Sequence, residues 1–332
     1  MPWRQTKDPY AVWVSEMMLQ QTQVVTATPY WIRWMERFPS IKSLAEADLD
    51  TVLTYWQGLG YYARARNMHK AALETMRLYH GDFPSDYTIL RSLPGVGPYT
   101  AAAVSSISVG EHHAVVDANV VRVLCRLEGI KDNPKSASVQ IKLQSVASEN
   151  LLKGSPGDFN QAMMELGATL CTPKSPCCAR CPIADTCIGF ASGNPEVFPE
   201  RQVSIRPIKR TDVIIIVVSQ GLTFTTQLPL DGLWGGLYSF PRRVVLEGED
   251  PLGIATALAK EIIGSAPSVI KHLAQIRHAV TIYNVHLIAF GVWVDTPNLA
   301  HVQANWKPHG DITKYPMPNP QVKVWNKVAC LL

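Results

Sequence analysis

Leu93-Pro94-Gly95-Val96-Gly97-Pro98-Tyr99-Thr100-Ala101 decides the reading of the first half of the chain. Two glycines with one residue between them permit a tight turn with exposed backbone N–H groups. The proline after them suits the first position of a helix. The stretch therefore predicts a turn joining two helices, the second over 98–109. Backbone N–H groups at Gly95, Gly97 and the helix start can grip a phosphate. An ordinary helix–helix turn could carry the same residues.

Outward from this turn the pattern stays helical. Downstream, helices fit 118–128, 136–152 and 159–170, with Asp158 as the expected cap of the last. Upstream, Asp8-Pro9 predicts a capped helix running to about Gln21, Ser43 to Glu46 has capping-box spacing, and Tyr62 to His80 reads as a helix stopped by Gly81. No fixed-period repeat is visible.

Two carboxylates stand out. The segment Ala11-Val12-Trp13-Val14-Ser15-Glu16-Met17-Met18-Leu19 is apolar nearly all round, which marks a buried helix, and Glu16 is its only charge. Among Trp and Met side chains its pKa should be raised, making it a candidate general acid, or else it is a buried partner of an arginine. Gln20, Gln21, Thr22 and Gln23 follow at once and could hydrogen-bond to bases. The other carboxylate is Asp117, in Val116-Asp117-Ala118-Asn119-Val120. An aspartate just before a helix is a common N-cap, and capping alone would account for it. A carboxylate kept ionised by the helix dipole is also what a developing positive sugar needs. One protonated and one ionised carboxyl is the arrangement that cleaves glycosidic bonds.

Farther on the chain reads Cys171-x6-Cys178-x2-Cys181-x5-Cys187. Four thiolates in a compact loop can anchor a soft metal, and the spacing fits both zinc and a four-iron, four-sulfur cluster. Zinc sites usually pair two C-x2-C knuckles, whereas one is present here. Cys177 stands outside the set, and Cys125 and Cys330 lie alone. No apolar signal core is visible between Met1 and Lys7, so seven cysteines with five between 171 and 187 favour a metal site over disulfides.

The 332 residues suggest two domains, and 47% hydrophobic content is enough for a real core. A net charge of +4 suits a nucleic-acid partner without requiring one. The longest apolar run, Val213 to Val218, is far short of the roughly 18–20 residues of a membrane span, so a cytoplasmic protein is expected. Pro195, Pro199 and Pro207 mark residues 191–210 as a linker. Beyond it the period changes: Asp212 to Ser219 is a β-branched strand, Thr281 to Val294 is β-rich, and one helix fits 251–263. Residues 211–332 thus form a mixed α/β domain after a mainly α domain over 1–190.

Taken together, Pro2-Trp3-Arg4, Trp13 to Gln23, Gly58 to Asn67, the glycine turn, Val116 to Val123, Phe159 to Gly167 and the cysteine loop over about 171–187 resemble the helix-hairpin-helix glycosylases related to endonuclease III. Among these they look most like the MutY-type adenine DNA glycosylases. The resemblance implies a [4Fe–4S] cluster on Cys171, Cys178, Cys181 and Cys187 that helps dock the protein on DNA. It implies that Glu16 protonates adenine at N7 and that Asp117 stabilises the oxocarbenium-like sugar, supported by Tyr99 and Asn119. Trp3, Arg4, Leu19, Val24 and Glu165 would line the pocket of the flipped adenine. Gln21 and one of Tyr61 or Tyr62 would insert near the opposite base. Bifunctional relatives carry a lysine where this chain has Tyr99, so a monofunctional enzyme is expected. The resemblance also places a helix ahead of Pro2-Trp3-Arg4.

The second domain resembles the Nudix-like domain with which MutY proteins read 8-oxoguanine opposite adenine, best over Gly232 to Pro241. Of the acidic ladder of a pyrophosphatase only Glu261 remains, so nucleotide hydrolysis is not expected. Where the family carries Phe-Ser-His, this chain has Arg277-His278-Ala279-Val280-Thr281-Ile282, with Thr281 able to replace the serine hydroxyl. The implied partner is double-stranded DNA with A:8-oxoguanine or A:G mispairs, bound by a monomer that is nucleoid-associated in a bacterium. Three other readings fit parts of the pattern: a related glycosylase for another mispair, a non-catalytic redox-sensing DNA-binding module, and a zinc module.

Overall fold

A computed structural model describes residues 1–200, 206–295 and 305–332; residues 201–205 of the expected linker lie outside the described residues. The described chain clusters into two compact units. One joins Met1–Glu46 to the stretch from Asn67 through the cysteine loop, and the other joins Ala47–Arg66 to the C-terminal part.

The first unit is helical. Helix α1 (Pro9–Leu19) starts where Asp8 accepts from the N–H groups of Tyr10 and Ala11, and residues Tyr10 through Met18 are all buried. It ends two residues earlier than expected, with Gln20 as its C-cap and Gln21 at φ +57°. Helix α2 (Val24–Arg37) was not legible in the sequence, since Pro29 sits in its interior. Helix α3 (Ile41–Ala45) corrects the expected start at Ser43. Ser40 is the cap, and its side chain and that of Ser43 bond reciprocally to each other's backbone. Helix α4 (Leu49–Trp56) follows along the chain but belongs to the second unit, and α5 (Ala63–Tyr79), which joins the first unit from Asn67 on, stops at His80 and Gly81, both with positive φ.

Helix α6 (Tyr87–Ser92) enters the glycine turn and α7 (Pro98–Val109) leaves it. Gly95 is required twice over: φ is +75°, and a Cβ there would lie 2.6 Å from Asn67 Cβ. Helices α8 (Ala118–Leu127), α9 (Ala137–Asn150) and α10 (Pro156–Thr169) complete a core of Ala102, Ala103, Val115, Leu124, Cys125, Leu143 and neighbours. Asp158 is not the cap of α10. Ser155 holds that position and Pro156 opens the helix, leaving Asp158 in the first turn. Short α11 (Ile188–Ala191) follows the cysteines. Residues 195–200, within the expected linker, are bonded to this unit. Arg126 Nε donates to the carbonyls of Pro195 and Phe198, and the Glu200 N–H donates to the Lys131 carbonyl.

The second unit is built on strand β1 (Ile208–Ser219), which begins inside the expected linker. It pairs antiparallel with β2 (Leu222–Phe224), while β3 (Thr226–Gln227) and β4 (Tyr238–Ser239) form a separate pair. Strand β5 (Arg242–Val245) pairs antiparallel with β1. After helix α12 (Pro251–Ile263) come β6 (Ile270–Val280), β7 (Tyr283–Trp293) and β8 (Trp306–Pro308), giving the sheet order β6-β7-β1-β2-β8. β1 runs parallel to β7, from Ile208 opposite Tyr283 to Val218 opposite Trp293. Val213, Ile215 and Val217 pack with α12 on one face, and Ile214, Ile216 and Val218 pack with helix α13 (Asn319–Val328) on the other. Burial on both faces is why this strand reads as one unbroken apolar run. Below it Asp212, 1% exposed, bonds Arg210 at 2.7 Å and Arg242 at 2.9 Å. Among the described residues no helix is long and apolar enough to cross a membrane.

Candidate active site

Glu16 projects from the middle of α1 and is 5% exposed. Tyr99, the second residue of α7, donates its hydroxyl hydrogen bond to Glu16 Oε2 and lies 3.5 Å from Met164 Sδ on α10. The glycine turn thus carries a phenol onto the buried carboxyl. Burial pushes the Glu16 pKa up, opposed in part by the Tyr99 hydrogen bond and by the nearby charge of Arg4, and raised further by Asp117. Burial likewise lifts the Tyr99 phenol well above its ordinary range, with the Glu16 charge adding to it. Beside them, Gln20 Nε2 reaches Thr100 Oγ1 at 3.3 Å.

Asp117 is the N-cap of α8. Its Oδ1 accepts from the Val120 N–H at 2.7 Å and its Oδ2 from Asn119 Nδ2 at 3.2 Å. Capping alone would hold its pKa down, as the sequence led us to expect. The structure corrects that expectation: burial is the largest effect and raises it, while the capping N–H groups, Asn119 and Arg122 pull against the rise.

The structure brings Glu16, Tyr99, Asp117, Asn119, Arg4 and Gln20 into one neighbourhood. Trp3 is buried edge-on against Trp31 at 5.9 Å. Leu19 and Val24 flank the turn after α1, where Gln21 is exposed, and Glu165 is exposed on α10 one residue past Met164. Tyr61, Tyr62 and Thr281 belong to the second unit. Tyr61 is 54% exposed with φ +48° whereas Tyr62 is 6% exposed, which separates two residues the sequence could not. Thr281 is exposed at the tip of the β6–β7 hairpin with φ +51°. Glu261 on α12 is held by Arg243 at 2.8 and 2.9 Å.

Cys171, Cys178, Cys181 and Cys187 line one cavity together with the exposed Cys177, and none forms a disulfide. No group of three or more His, Cys, Asp or Glu side chains among the described residues is set to hold a single metal ion. The cavity's cationic neighbour is Arg126, 2% exposed, whose Nη1 donates to Cys171 Sγ at 3.2 Å and to the Thr172 carbonyl at 2.8 Å. A charge-assisted donor aimed at sulfur suits a thiolate. Sequence reading missed Arg126 and also Arg122, one turn before it. Arg122 bonds the Asn119 side chain, the Gly167 carbonyl and the Cys171 carbonyl at 3.0, 2.7 and 2.7 Å. Their spacing from Asn119 on one helix was the available signal.

Comparisons with known proteins agree with this architecture. Residues 14–149 match the model of the HhH-GPD superfamily base excision DNA repair proteins, and residues 212–327 match the NUDIX domain. The chain is 35% identical to the adenine DNA glycosylase of Homo sapiens, over 84% of this chain and 61% of that protein. It is 35% identical to the adenine DNA glycosylase of Buchnera aphidicola subsp. Acyrthosiphon pisum, over 73% of this chain and 69% of that protein. It therefore spans about three-fifths of the length of the human relative. A solved structure of a thermostable thymine-DNA glycosylase is similar with a TM-score of 0.53 at 27% identity, over 58% of this chain and 88% of that one.

Proposed function

The chain belongs to the adenine DNA glycosylase family, and on that premise we propose that it hydrolyses the N-glycosidic bond of adenine in double-stranded DNA as a base excision repair enzyme. Its substrate is adenine opposite 8-oxoguanine or guanine, flipped out of the helix before reaction. Glu16 delivers a proton to N7 of the base, which makes adenine a better leaving group. Asp117 faces the positive charge that grows on the sugar as the bond breaks, and Asn119 orients it. Tyr99 holds the Glu16 carboxyl in place. Water completes the reaction and leaves an abasic site. Having no lysine at position 99, the site forms no Schiff base with the sugar, so the strand stays intact.

The observation that carries this reading is the pairing of a buried, pKa-raised Glu16 with an Asp117 capped by N–H groups, both bordering Tyr99. Trp3, Arg4, Leu19, Gln20, Val24 and Glu165 contact the flipped adenine, while Gln21 and Tyr61 enter near the opposite base. The N–H groups at Gly95 and Gly97 hold a backbone phosphate, and Thr281 at its hairpin tip reads the opposite base. The chain acts as a monomer in the cytoplasm, on the nucleoid in a bacterial cell.

Cys171, Cys178, Cys181 and Cys187 would hold a [4Fe–4S] cluster. Four thiols around one cavity, with the Arg126 guanidinium donating to Cys171 Sγ, are a donor set that suits a group ligated by thiolates. When bound, the cluster supplies a rigid docking loop for DNA. Adenine release from duplexes holding A opposite 8-oxoguanine, G or T tests the whole reading. Release from the first two and not from A:T is expected, and no release from any would refute it.

A further inference from the structure

Residues 111–117 lead into Asp117 and belong to no helix or strand, yet Ala114 and Val115 are buried. Buried backbone groups must find partners. Here side-chain amides provide them. Asn160 of α10, 2% exposed, accepts from the Val115 N–H at 3.0 Å and donates through Nδ2 to the His113 carbonyl at 2.8 Å and to Ser106 Oγ of α7 at 2.9 Å. Gln144 of α9 donates to the Ala114 carbonyl at 3.2 Å. Three consecutive residues just before Asp117 are thus held by amides rather than by a sheet.

The same helix presses on the far side of Asp117. A Cβ on Gly167 would meet Asn119 Cβ at 2.7 Å, and one on Gly157 would meet the Ser106 carbonyl at 2.6 Å. Helix α10 therefore touches both α7, which carries Tyr99, and the first turn of α8, which follows Asp117. Asn160 sits between these two close approaches with every polar atom of its amide used.

We propose that Asn160 is a positioning residue for the reaction: its amide fixes the backbone of His113 and Val115 ahead of Asp117 and so sets where that carboxylate meets the sugar. The inference rests on the role given to Asp117 above. A small displacement of a reacting group is enough to slow catalysis severely, so a clamp two residues away matters even without touching substrate.

The test is single-turnover adenine release by the full chain from an A:8-oxoguanine duplex across pH, with duplex affinity and melting temperature measured alongside. Asn160→Ala should slow release by about 10- to 100-fold, the loss expected for an ångström-scale misplacement. Affinity for the duplex should stay unchanged, and the midpoint of the acid limb, where Asp117 gains its proton, should move. Ser106→Ala, which removes one partner of the amide, should show a smaller loss in the same direction while melting like wild type. Wild-type rates in both variants would overturn the proposal, as would slower release with an unmoved acid limb. If Asn160→Ala does not fold, Ser106→Ala decides alone: slowed release with a moved acid limb supports the clamp, and an unchanged profile overturns it. No release by the wild type would instead bring down the reading beneath it.

Discussion

The Tyr99 hydroxyl donates to the Glu16 carboxylate, joining the residue that follows the glycine turn to the middle of the most buried helix. This bond keeps a titratable group aimed from a place where its charge is costly. The sign of the resulting pH dependence follows directly. Burial raises the carboxyl above its unfolded value, so the folded chain holds the proton where the unfolded chain has lost it. Stability from this group is fully present below the unfolded pKa and is lost as pH rises through the raised folded value. Excision should fall over the same span of rising pH, because a general acid must carry its proton. Glu16→Gln should remove that slope from the stability profile and cut excision by about 10²–10⁴-fold, the usual worth of a general acid. Thermal melts against pH, read beside single-turnover rates, check both.

Asp117→Asn separates capping from chemistry. Asparagine caps a helix about as well as aspartate, so the melting temperature should stay near wild type. The negative charge facing the sugar is lost, and excision should collapse. Wild-type activity in this variant would reduce Asp117 to a cap.

Much of this site was legible in the sequence because charge in an apolar helix, glycines two apart and four thiols in a short loop each admit few explanations. Other parts were not. Helix α2 was hidden by Pro29, which breaks the usual helical signal although the helix tolerates it. Strand β6 alternates with Lys271, His272 and Arg277, and its hairpin tip, Thr281-Ile282, lacks the Gly or Asn that normally announces such a turn. Ser40 and Ser43 could each have capped α3, and only the reciprocal bonds decide between them. The roles of Arg122, Arg126 and Asn160 depend on neighbours some 45 to 72 positions away, such as Gly167, Phe198 and Val115, so the spacing from Asn119 that marks the two arginines could not tell what they hold.

The cysteine set makes a stoichiometric claim. Purified chain should hold about four irons per molecule and absorb broadly near roughly 410 nm, as thiolate-bound iron does. Cys181→Ser should lose that absorbance and iron, while Cys177→Ser should keep both. Iron retained without Cys181, or lost with Cys177, would change the ligand assignment.

In the second unit Asp212 holds Arg210 and Arg242 from a buried position. Removing one partner of a buried ion pair costs about 3–5 kcal/mol because the remaining charges are left uncompensated. Asp212→Ala should destabilise by about that amount in denaturant melts of the full chain. A loss below about 1 kcal/mol, typical of a solvent-screened surface pair, would show that the two guanidinium groups find other partners.

The most direct measurement follows a duplex with one adenine opposite 8-oxoguanine, labelled on the adenine strand, and scores base release and strand breakage separately. Glu16, Asp117 and Tyr99 together lead to adenine release with breaks appearing only after alkali, and to loss of release in Glu16→Gln. Breaks formed without alkali as fast as the base leaves would contradict the account, and so would undiminished release by Glu16→Gln.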